Sequence, residues 1–367
     1  MVSKIAMTSP NEISPLDRRG DEPLPSHFEQ DRLDKVVSYK DLYQGQMGYL
    51  AKLGAPPPKS QKKSLKDVKY FMYQLGNIER EGSIDALVTS HYDLLVVPAV
   101  STLKGSESFD MAGMVSRLKS SRAASFPNKL VFAYFAVGEA ERYRTYWDSE
   151  TWRIQRGSGC HPGNPTFLVS EDPAKWGRRY AVVYWDPRWK KIMKEMLDKV
   201  LAAGFDGAAL DWVDMCEDEC IKEIGDSRKL DPKKEMVKLL KELKEYARRK
   251  NPNFKFITVN GITLSETPGF LKVVDGVLVE GTFYQGCAGV AWEDPRCCDI
   301  KASESRTSAI LELSSRVFQE FKTPIFSIDY ALRQASLTYS MAKRVGFIPL
   351  VTRNSLSEIT TTPPPGY

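Results

Sequence analysis

Acidic residues follow four apolar runs of the sequence, each at the point where the run ends. They are Glu139 with Glu141, Asp211 with Asp214, Glu280, and Asp329. A single acid in this position often pairs with an arginine or caps the next helix. Four such positions in one chain indicate a cluster of carboxyl groups, and they predict carboxylate chemistry.

The sequence suggests no other catalytic constellation. Its three histidines, His27, His91 and His161, lie outside the ends of the apolar runs, and no H-E-x-x-H, Walker A or G-x-S-x-G motif occurs. Two carboxyl groups that flank a bond are what glycoside hydrolysis requires. One protonates the leaving oxygen, and the other attacks the anomeric carbon or activates a water. Glycoside hydrolysis is therefore the first hypothesis.

Aromatic residues in the predicted loops fit the same hypothesis, because flat apolar rings stack on the C–H faces of sugars. Six of the seven tryptophans fall in these loops, together with two tyrosines: Trp147, Trp152, Trp176, Trp185, Trp212, Trp292, Tyr284 and Tyr330. Taken alone, ordinary loop packing explains them better. Beside the acids, a glycan cleft is the better interpretation.

The elements that must position these residues follow from the periodicity of the chain past residue 60. Short runs rich in Val, Ile, Leu and Phe alternate there with amphipathic stretches of helical spacing. The eight runs are 68–75, 93–100, 130–137, 207–212, 254–259, 276–279, 324–330 and 346–351. Such runs are typical of parallel strands buried on both faces, joined by right-handed crossover helices. We predict an α/β fold, a (β/α)8 TIM barrel, whose strand ends share one mouth.

An open doubly wound sheet is the competing architecture. It typically has a glycine-rich phosphate turn after its first strand. The first run here is followed by Gly-Asn-Ile-Glu at 76–79, which is not such a turn. The closed barrel is therefore favoured.

The predicted domain organisation has three parts. Residues 1–60 form a short N-terminal extension with one plausible helix at 31–53 and a proline-rich spacer at 56–59. Residues 61–356 form the barrel. Residues 357–367, which include three consecutive prolines, form a tail that is either disordered or the attachment point of a further module.

Composition restricts the partners. The 367 residues are 42% hydrophobic and 27% charged, an ordinary globular composition. The net charge of +5 is spread along the chain among acids, which argues against nucleic acid, and no apolar run approaches the roughly 18 residues of a membrane span. We expect a polysaccharide partner, no cofactor and a monomer.

Six cysteines crowd into the second half of the chain: Cys160, Cys216, Cys220, Cys287, Cys297 and Cys298. An even number fits three disulfides in an oxidising compartment, and free thiols are the alternative. Extracellular or cell-surface localisation is the corresponding expectation. The first thirty residues show no apolar stretch typical of a signal peptide, which leaves the cytoplasm as an alternative.

A metal site is a further alternative. Its ligands would be Cys160, His161, Cys216 and Cys220, although their spacing does not match a zinc pattern.

Several segments, in order along the chain, carry a resemblance to a known family. They are 73–75, 133–141, 143–147, 184–187, 203–211, 274–284 and 327–331. Over roughly residues 68 to 352 the sequence resembles glycoside hydrolase family 114, the endo-α-1,4-polygalactosaminidases. The second run departs from the family pattern, because Val97 is followed by Pro98-Ala99-Val100 where an acid is usual.

The resemblance implies a TIM barrel and retaining, endo-acting cleavage of α-1,4-linked galactosamine-containing polysaccharide. It implies that Asp211 is the nucleophile and that Glu280 is the acid/base. The candidates for binding substrate are Tyr73, Tyr134, Glu139, Trp212, Asp214, Asn260, Tyr284, Trp292 and Asp329. The alternatives are a catalytically silent barrel that binds glycan and a glycosidase for another α-linked glycan.

A cationic polygalactosamine predicts negative potential at the cleft. Residues 211–226 contain seven acids and the single base Lys222. This run directly follows the predicted nucleophile, and a solvated helix face is the alternative interpretation.

Overall fold

The computed structural model describes residues 63–154, 160–171, 179–287 and 298–367. These ranges contain all eight predicted strands. The predicted helix at 31–53 and the spacer at 56–59 lie outside the described residues, as do Trp176, Trp292 and Cys297.

Eight parallel strands form the barrel, one from each predicted run. They are β1 (Phe71–Tyr73), β2 (Leu94–Pro98), β3 (Leu130–Ala136), β4 (Gly207–Asp211), β5 (Lys255–Val259), β6 (Gly276–Glu280), β7 (Ile325–Tyr330) and β8 (Ile348–Thr352). Neighbours along the chain are neighbours in the sheet, and β1 lies beside β8, so the barrel is nearly closed. Every residue of β2, β3 and β7 is buried, as the continuous apolar runs predict. The TIM-barrel prediction is confirmed.

The helices of the described ranges lie between the strands. They are α1 (Ser83–Thr89), α2 (Met111–Ser120), α3 (Pro187–Ala202), α4 (Glu219–Ser227), α5 (Pro232–Lys250), α6 (Phe270–Val273), α7 (Glu304–Phe321) and α8 (Ala335–Arg344). An aspartate cap followed by proline begins both α3 and α5. The apolar faces of α3 and α5 are buried through Met193, Met196, Leu197 and Val200 and through Met236, Leu239, Leu240, Leu243 and Ala247, whereas Phe321 at the end of α7 is exposed. Among these helices, none combines the length and apolarity that crossing a membrane would need.

An antiparallel sheet is inserted between β3 and α3, from strands Glu139–Glu141, Leu168–Glu171 and Arg179–Val182. Trp147 and Trp152 belong to its aromatic core. The Trp147 ring stacks on Tyr180 with centroids 5.0 Å apart, and Trp152 meets Phe167 edge-on at 5.3 Å. For Trp147 and Trp152, loop packing is therefore the correct interpretation, because their faces are used within the insertion.

The cysteines correct the prediction of three disulfides. Cys160 of the insertion is bonded to Cys220 of α4, and Cys287 is also disulfide-bonded. Cys216 keeps a buried thiol, so the six cysteines do not form three pairs. The alternative metal site is also wrong, because the sulfur atoms of Cys160 and Cys220 are bonded to each other. In the ranges described, no group of three His, Cys, Asp or Glu side chains is arranged to hold a metal ion.

The C-terminal segment packs against the barrel instead of forming a disordered end. The Tyr367 ring stacks on Tyr92 with centroids 4.5 Å apart. The hydroxyl of Tyr70 donates to the Gly366 carbonyl at 3.0 Å, and the hydroxyl of Tyr339 donates to the Thr362 carbonyl at 2.8 Å. Tyrosine hydroxyls and stacked rings therefore hold the tail in place.

Candidate active site

Asp211 and Glu280 end two strands of the barrel that are separated by β5 alone. In both β4 and β6, the four preceding residues are buried and the acid is partly exposed. Trp212 and Asp214, which follow β4, and Asn260, which follows β5, are also partly exposed. We call these five residues the cleft. Because β4 and β6 run parallel in one barrel, both acids lie at the same mouth.

The Asp211 carboxylate is held by two donors. The Tyr134 hydroxyl donates to Oδ2 at 2.8 Å, and the Trp212 backbone N–H donates to Oδ1 at 2.7 Å. Tyr134 pairs with Ala209, and side chains two apart on a strand share a face. The register of β3 against β4 therefore places the tyrosine hydroxyl beside the carboxylate.

The Glu280 carboxylate has a corresponding arrangement. Asn260 Nδ2 donates to Oε2 at 2.8 Å, and the Tyr330 hydroxyl donates to Oε1. The Glu280 backbone N–H donates to Asn260 Oδ1 at 3.2 Å. Ile328 pairs with Glu280, so Tyr330, two residues on, lies on the same face of the barrel. Each of the two acids is thus fixed by a tyrosine from an adjacent strand.

Burial and neighbouring charge act on the carboxyl groups of the cleft. Burial raises the pKa of Asp211 well above its usual range, and the charges of Glu280 and Asp214 raise it further. The hydrogen bonds from Tyr134 and Trp212 oppose this effect. Burial, together with Glu217 and Glu280, raises the pKa of Asp214 to about 7. Like charges this close favour a state in which the carboxyl groups share protons.

The turn after β4 depends on a glycine of a neighbouring segment. Trp212 has a φ of 60°, which directs the chain sharply away from Asp211. A Cβ at Gly138 would lie 2.1 Å from the Trp212 carbonyl oxygen and 2.6 Å from Met215 Cβ. Only glycine permits this close approach. Gly138 therefore helps to place the Trp212 N–H that holds Asp211.

Four predicted substrate-binding residues are buried, and one of them is Tyr134, which is 4% exposed. Tyr73, Glu139 and Asp329 are each 1% exposed or less. The Tyr73 ring lies 6.0 Å from that of Tyr134, and burial and the charges of Asp211 and Glu280 raise the pKa of its hydroxyl. It therefore lies beneath the acid pair.

Asp329 and Tyr284 meet beside the end of β7. Asp329 Oδ1 accepts the backbone N–H groups of Phe283 at 2.7 Å and Tyr284 at 2.9 Å, and burial raises the pKa of Asp329 to about 6. The Tyr284 side chain is partly buried against a small apolar cluster that includes Tyr339. Asp329 thus holds the backbone that follows β6.

Most of the acidic run 211–226 does not line the cleft. Glu217 accepts a hydrogen bond from Thr263 at 2.7 Å and pairs with Lys233 at 3.1 Å, while Asp218 caps α4. Glu223 and Asp226 are exposed. For these four acids, capping, pairing and solvation are the correct interpretation. Only Asp211 and Asp214 of the run belong to the cleft.

Sequence reasoning missed two contacts of Glu280. Tyr330 was predicted only as a stacking ring, although its position at the end of a strand, next to Asp329, was a usable signal. Arg306 gave no signal, because it lies in α7 and reaches the Glu280 carbonyl across 26 residues of chain.

Two sequence comparisons show what this chain is similar to. Residues 59–364 match the model of Glycoside-hydrolase family GH114. An uncharacterized protein of Deinococcus radiodurans is 30% identical over 310 residues, which cover 84% of this chain and 87% of that protein.

Two solved structures share the fold. The glycoside hydrolase domain of PelA from Pseudomonas aeruginosa has a TM-score of 0.53 and 14% identity, over 80% of this chain and 98% of its own. Ega3 of Aspergillus fumigatus, in complex with galactosamine, has a TM-score of 0.53 and 13% identity, over 82% of this chain and 98% of its own.

Proposed function

This chain belongs to glycoside hydrolase family GH114, and from that premise we propose that it cleaves α-1,4-linked galactosamine-containing polysaccharide within the chain, with retention of configuration. The observation that carries the proposal is the acid pair. Asp211 and Glu280 lie at the ends of β4 and β6, partly exposed and each fixed by a tyrosine hydroxyl. Two oriented carboxyl groups at one mouth are the machinery that glycoside hydrolysis requires.

The proposed reaction has two steps. Asp211 attacks the anomeric carbon, the glycosidic C–O bond breaks, and Glu280 gives its proton to the leaving oxygen. Glu280 then takes a proton from water, the water oxygen bonds to the anomeric carbon, and Asp211 is released. A nucleophile must be ionised, and the donors on Asp211 lower the cost of ionisation that burial, Glu280 and Asp214 impose. The reaction begins with one proton on the pair, carried by Glu280.

Substrate class is supported by charge and by relatives. The partly exposed Asp211, Asp214 and Glu280 concentrate carboxyl groups around one mouth, although the whole chain carries a net charge of +5. Such a site favours a cationic amino sugar over an anionic glycan. Ega3, which shares the fold, was solved in complex with galactosamine.

The direct test is incubation of the protein with polygalactosamine, galactosaminogalactan and α-galactan, with the products sized by mass spectrometry. We expect the amino-sugar polymers to shorten before monomers accumulate. Asp211→Asn and Glu280→Gln should each lower kcat by about 10³-fold or more. The exposed Asp226→Asn, from the same acidic run, is the matched control and should retain activity.

Azide separates the two roles. With an activated aryl glycoside, azide should attack the anomeric carbon directly in Asp211→Asn and give the inverted glycosyl azide. In Glu280→Gln it should react with the glycosyl-enzyme and give the retained one. The opposite assignment of products would exchange the roles.

The polymer incubation also tests the alternatives. A wild-type protein that binds these polymers without cleaving them would be the silent barrel, and cleavage of α-galactan alone would indicate another substrate.

A further inference from the structure

One helix turn holds the backbone that follows Glu280. Arg306 lies in the first turn of α7, and its Nη2 donates to the Glu280 carbonyl at 2.9 Å. Its Nε donates to the Gly281 carbonyl at 3.2 Å. The Thr307 hydroxyl donates to the Thr282 carbonyl at 2.6 Å. Three successive carbonyls are therefore fixed by two neighbouring side chains.

The same segment is held from its other side. Gly281 has a φ of 60°, so the chain turns directly after the acid. Asp329 accepts the N–H groups of Phe283 and Tyr284. Arg306 and Thr307 hold the carbonyls of residues 280–282, and Asp329 holds the amides of residues 283 and 284. The orientation of the Glu280 side chain depends on this turn.

Arg306 also brings positive charge among the acids. The groups that face it are Glu280 on β6, Asp214 after β4, and Asp329 and Tyr330 on β7. Its charge favours the ionised forms of Asp214 and Asp329, against the burial that raises the pKa of each. The guanidinium is itself partly buried, so solvent screens this interaction only in part.

We propose that Arg306 is a positioning residue for Glu280, which fixes the turn after β6 through two backbone carbonyls and places one positive charge among the carboxyl groups beside it. The inference rests on the proposed acid/base role of Glu280. A lysine would supply the charge without the planar fork that reaches two carbonyls at once. Comparing arginine with lysine at this position therefore separates the effect of the two carbonyl contacts from the effect of the charge.

The test compares Arg306→Met with Arg306→Lys in the full-length protein. Removing the charge makes the ionised forms of Asp214 and Asp329 less stable, so the pH profile of kcat/KM should move up by about one unit in Arg306→Met. In Arg306→Lys the profile should stay within a few tenths of a unit of wild type, while kcat falls about tenfold because the fork is lost. Arg316→Met, an exposed arginine of the same helix paired with Glu266, is the matched control. It should change neither quantity.

A structural role without influence on Glu280 would lower thermal stability but leave the pH profile of the folded enzyme in place. An Arg306→Met profile that superimposes on wild type, with kcat within twofold, overturns the proposal. If Arg306→Met fails to fold, Arg306→Lys still tests whether the two carbonyl contacts of the guanidinium are needed for activity. Wild-type kcat in that variant would overturn it.

A second readout does not depend on activity. The carboxyl resonances of Asp214 and Asp329 in ¹³C-labelled protein, assigned with Asp214→Asn and Asp329→Asn, can be titrated in wild type and Arg306→Met. Titration about one unit higher in the variant supports the charge effect even if the wild type cleaves no glycan, and then the proposed function alone fails. Unchanged titration overturns the charge effect whatever the activity.

Discussion

The hydroxyl of Tyr134 on Asp211 and that of Tyr330 on Glu280 give the acid pair an approximate symmetry at the residue scale. A carboxylate near another carboxylate is costly to ionise, and a donated hydrogen bond lowers that cost. A tyrosine suits this position because its apolar ring fills the barrel interior while its hydroxyl reaches the mouth. Both tyrosines are buried, so they support the acids from beneath.

Tyr134→Phe should lower kcat/KM by about ten- to a hundredfold, because a hydrogen bond to a charged group is worth about 1.5–3 kcal/mol. Loss of the donor raises the pKa of Asp211 further, so the acidic limb of the pH profile should also move up. Steady-state kinetics across pH measures both effects. Tyr339→Phe, which removes a hydroxyl bonded to the Thr362 carbonyl at 2.8 Å, is the control and should lower stability alone. Equal effects on kcat in the two variants would contradict the prediction.

Asp214→Asn should stabilise the protein at alkaline pH. The pKa of Asp214 is about 7 in the fold against an ordinary value of 3.8, so the native state holds the proton more tightly than the unfolded chain. Wild-type stability is therefore lost as the pH rises from about 4 to about 7. We expect the variant to gain about 2–4 kcal/mol at pH 8 and little at pH 4.

Urea unfolding at the two pH values measures this gain. Asp226→Asn should show no such pH dependence, because Asp226 is exposed. A gain of equal size at pH 4 and pH 8 would show that burial of the Asp214 charge is not its cause.

At the scale of the elements, the strand ends of the barrel carry the acids, and the turns that follow the strands help to orient them. Trp212 after β4, Asn260 after β5 and Gly281 after β6 all have φ values near 60°. The chain therefore turns directly after each of these three strand ends.

Gly138→Ala tests the turn after β4. The added Cβ would lie 2.1 Å from the Trp212 carbonyl oxygen, so that turn must shift. We expect a loss of about tenfold or more in kcat and a destabilisation of about 1–3 kcal/mol. The control is Gly276→Ala at the opposite end of β6, where the added Cβ meets the Phe326 ring at 3.1 Å.

The control should be destabilised but should keep the kcat of the folded enzyme. Thermal unfolding measured beside kinetics separates the two outcomes. Full activity in Gly138→Ala would show that the position of Trp212 is not critical.

All eight strands could be predicted, because a strand buried on both faces must be apolar along its whole length, as Phe132 and Phe326 are in theirs. The inserted sheet after β3 was not predicted. Its strand Glu139–Glu141 carries two acids and is buried all the same, with Glu141 paired to Arg144 at 2.6 Å. Hydrophobic periodicity cannot reveal a strand whose burial depends on an ion pair.

At the scale of the whole molecule, one covalent bond joins the insertion to the β4 crossover. The Cys160–Cys220 disulfide closes a loop of sequence separation 60 that contains β4 and the turn after it. Such a cross-link restricts the unfolded chain more than the folded one. It therefore stabilises the segment that carries Asp211.

The double variant Cys160→Ser/Cys220→Ser should lose about 4 kcal/mol of unfolding free energy, the loop-entropy value for this separation. Urea unfolding without reductant measures the change. Cys216→Ala, which removes a buried thiol from the same region, is the control and should cost about 1 kcal/mol. A loss in the double variant no larger than in the control would contradict the assigned role of the disulfide.

The sequence by itself determined the eight strands, their parallel order and the placement of acids at their ends, because burial and chain direction are local consequences of residue type. The resemblance to family 114 then selected Asp211 and Glu280 from the acids at four strand ends. The tertiary structure decided which side chains hold them. Tyr134, Tyr330 and Arg306 come from other strands and a helix, and which atoms meet depends on sheet register and helix packing. The structure likewise decided that Cys216 stays a thiol, since sulfur pairing depends on distances that only the folded chain sets.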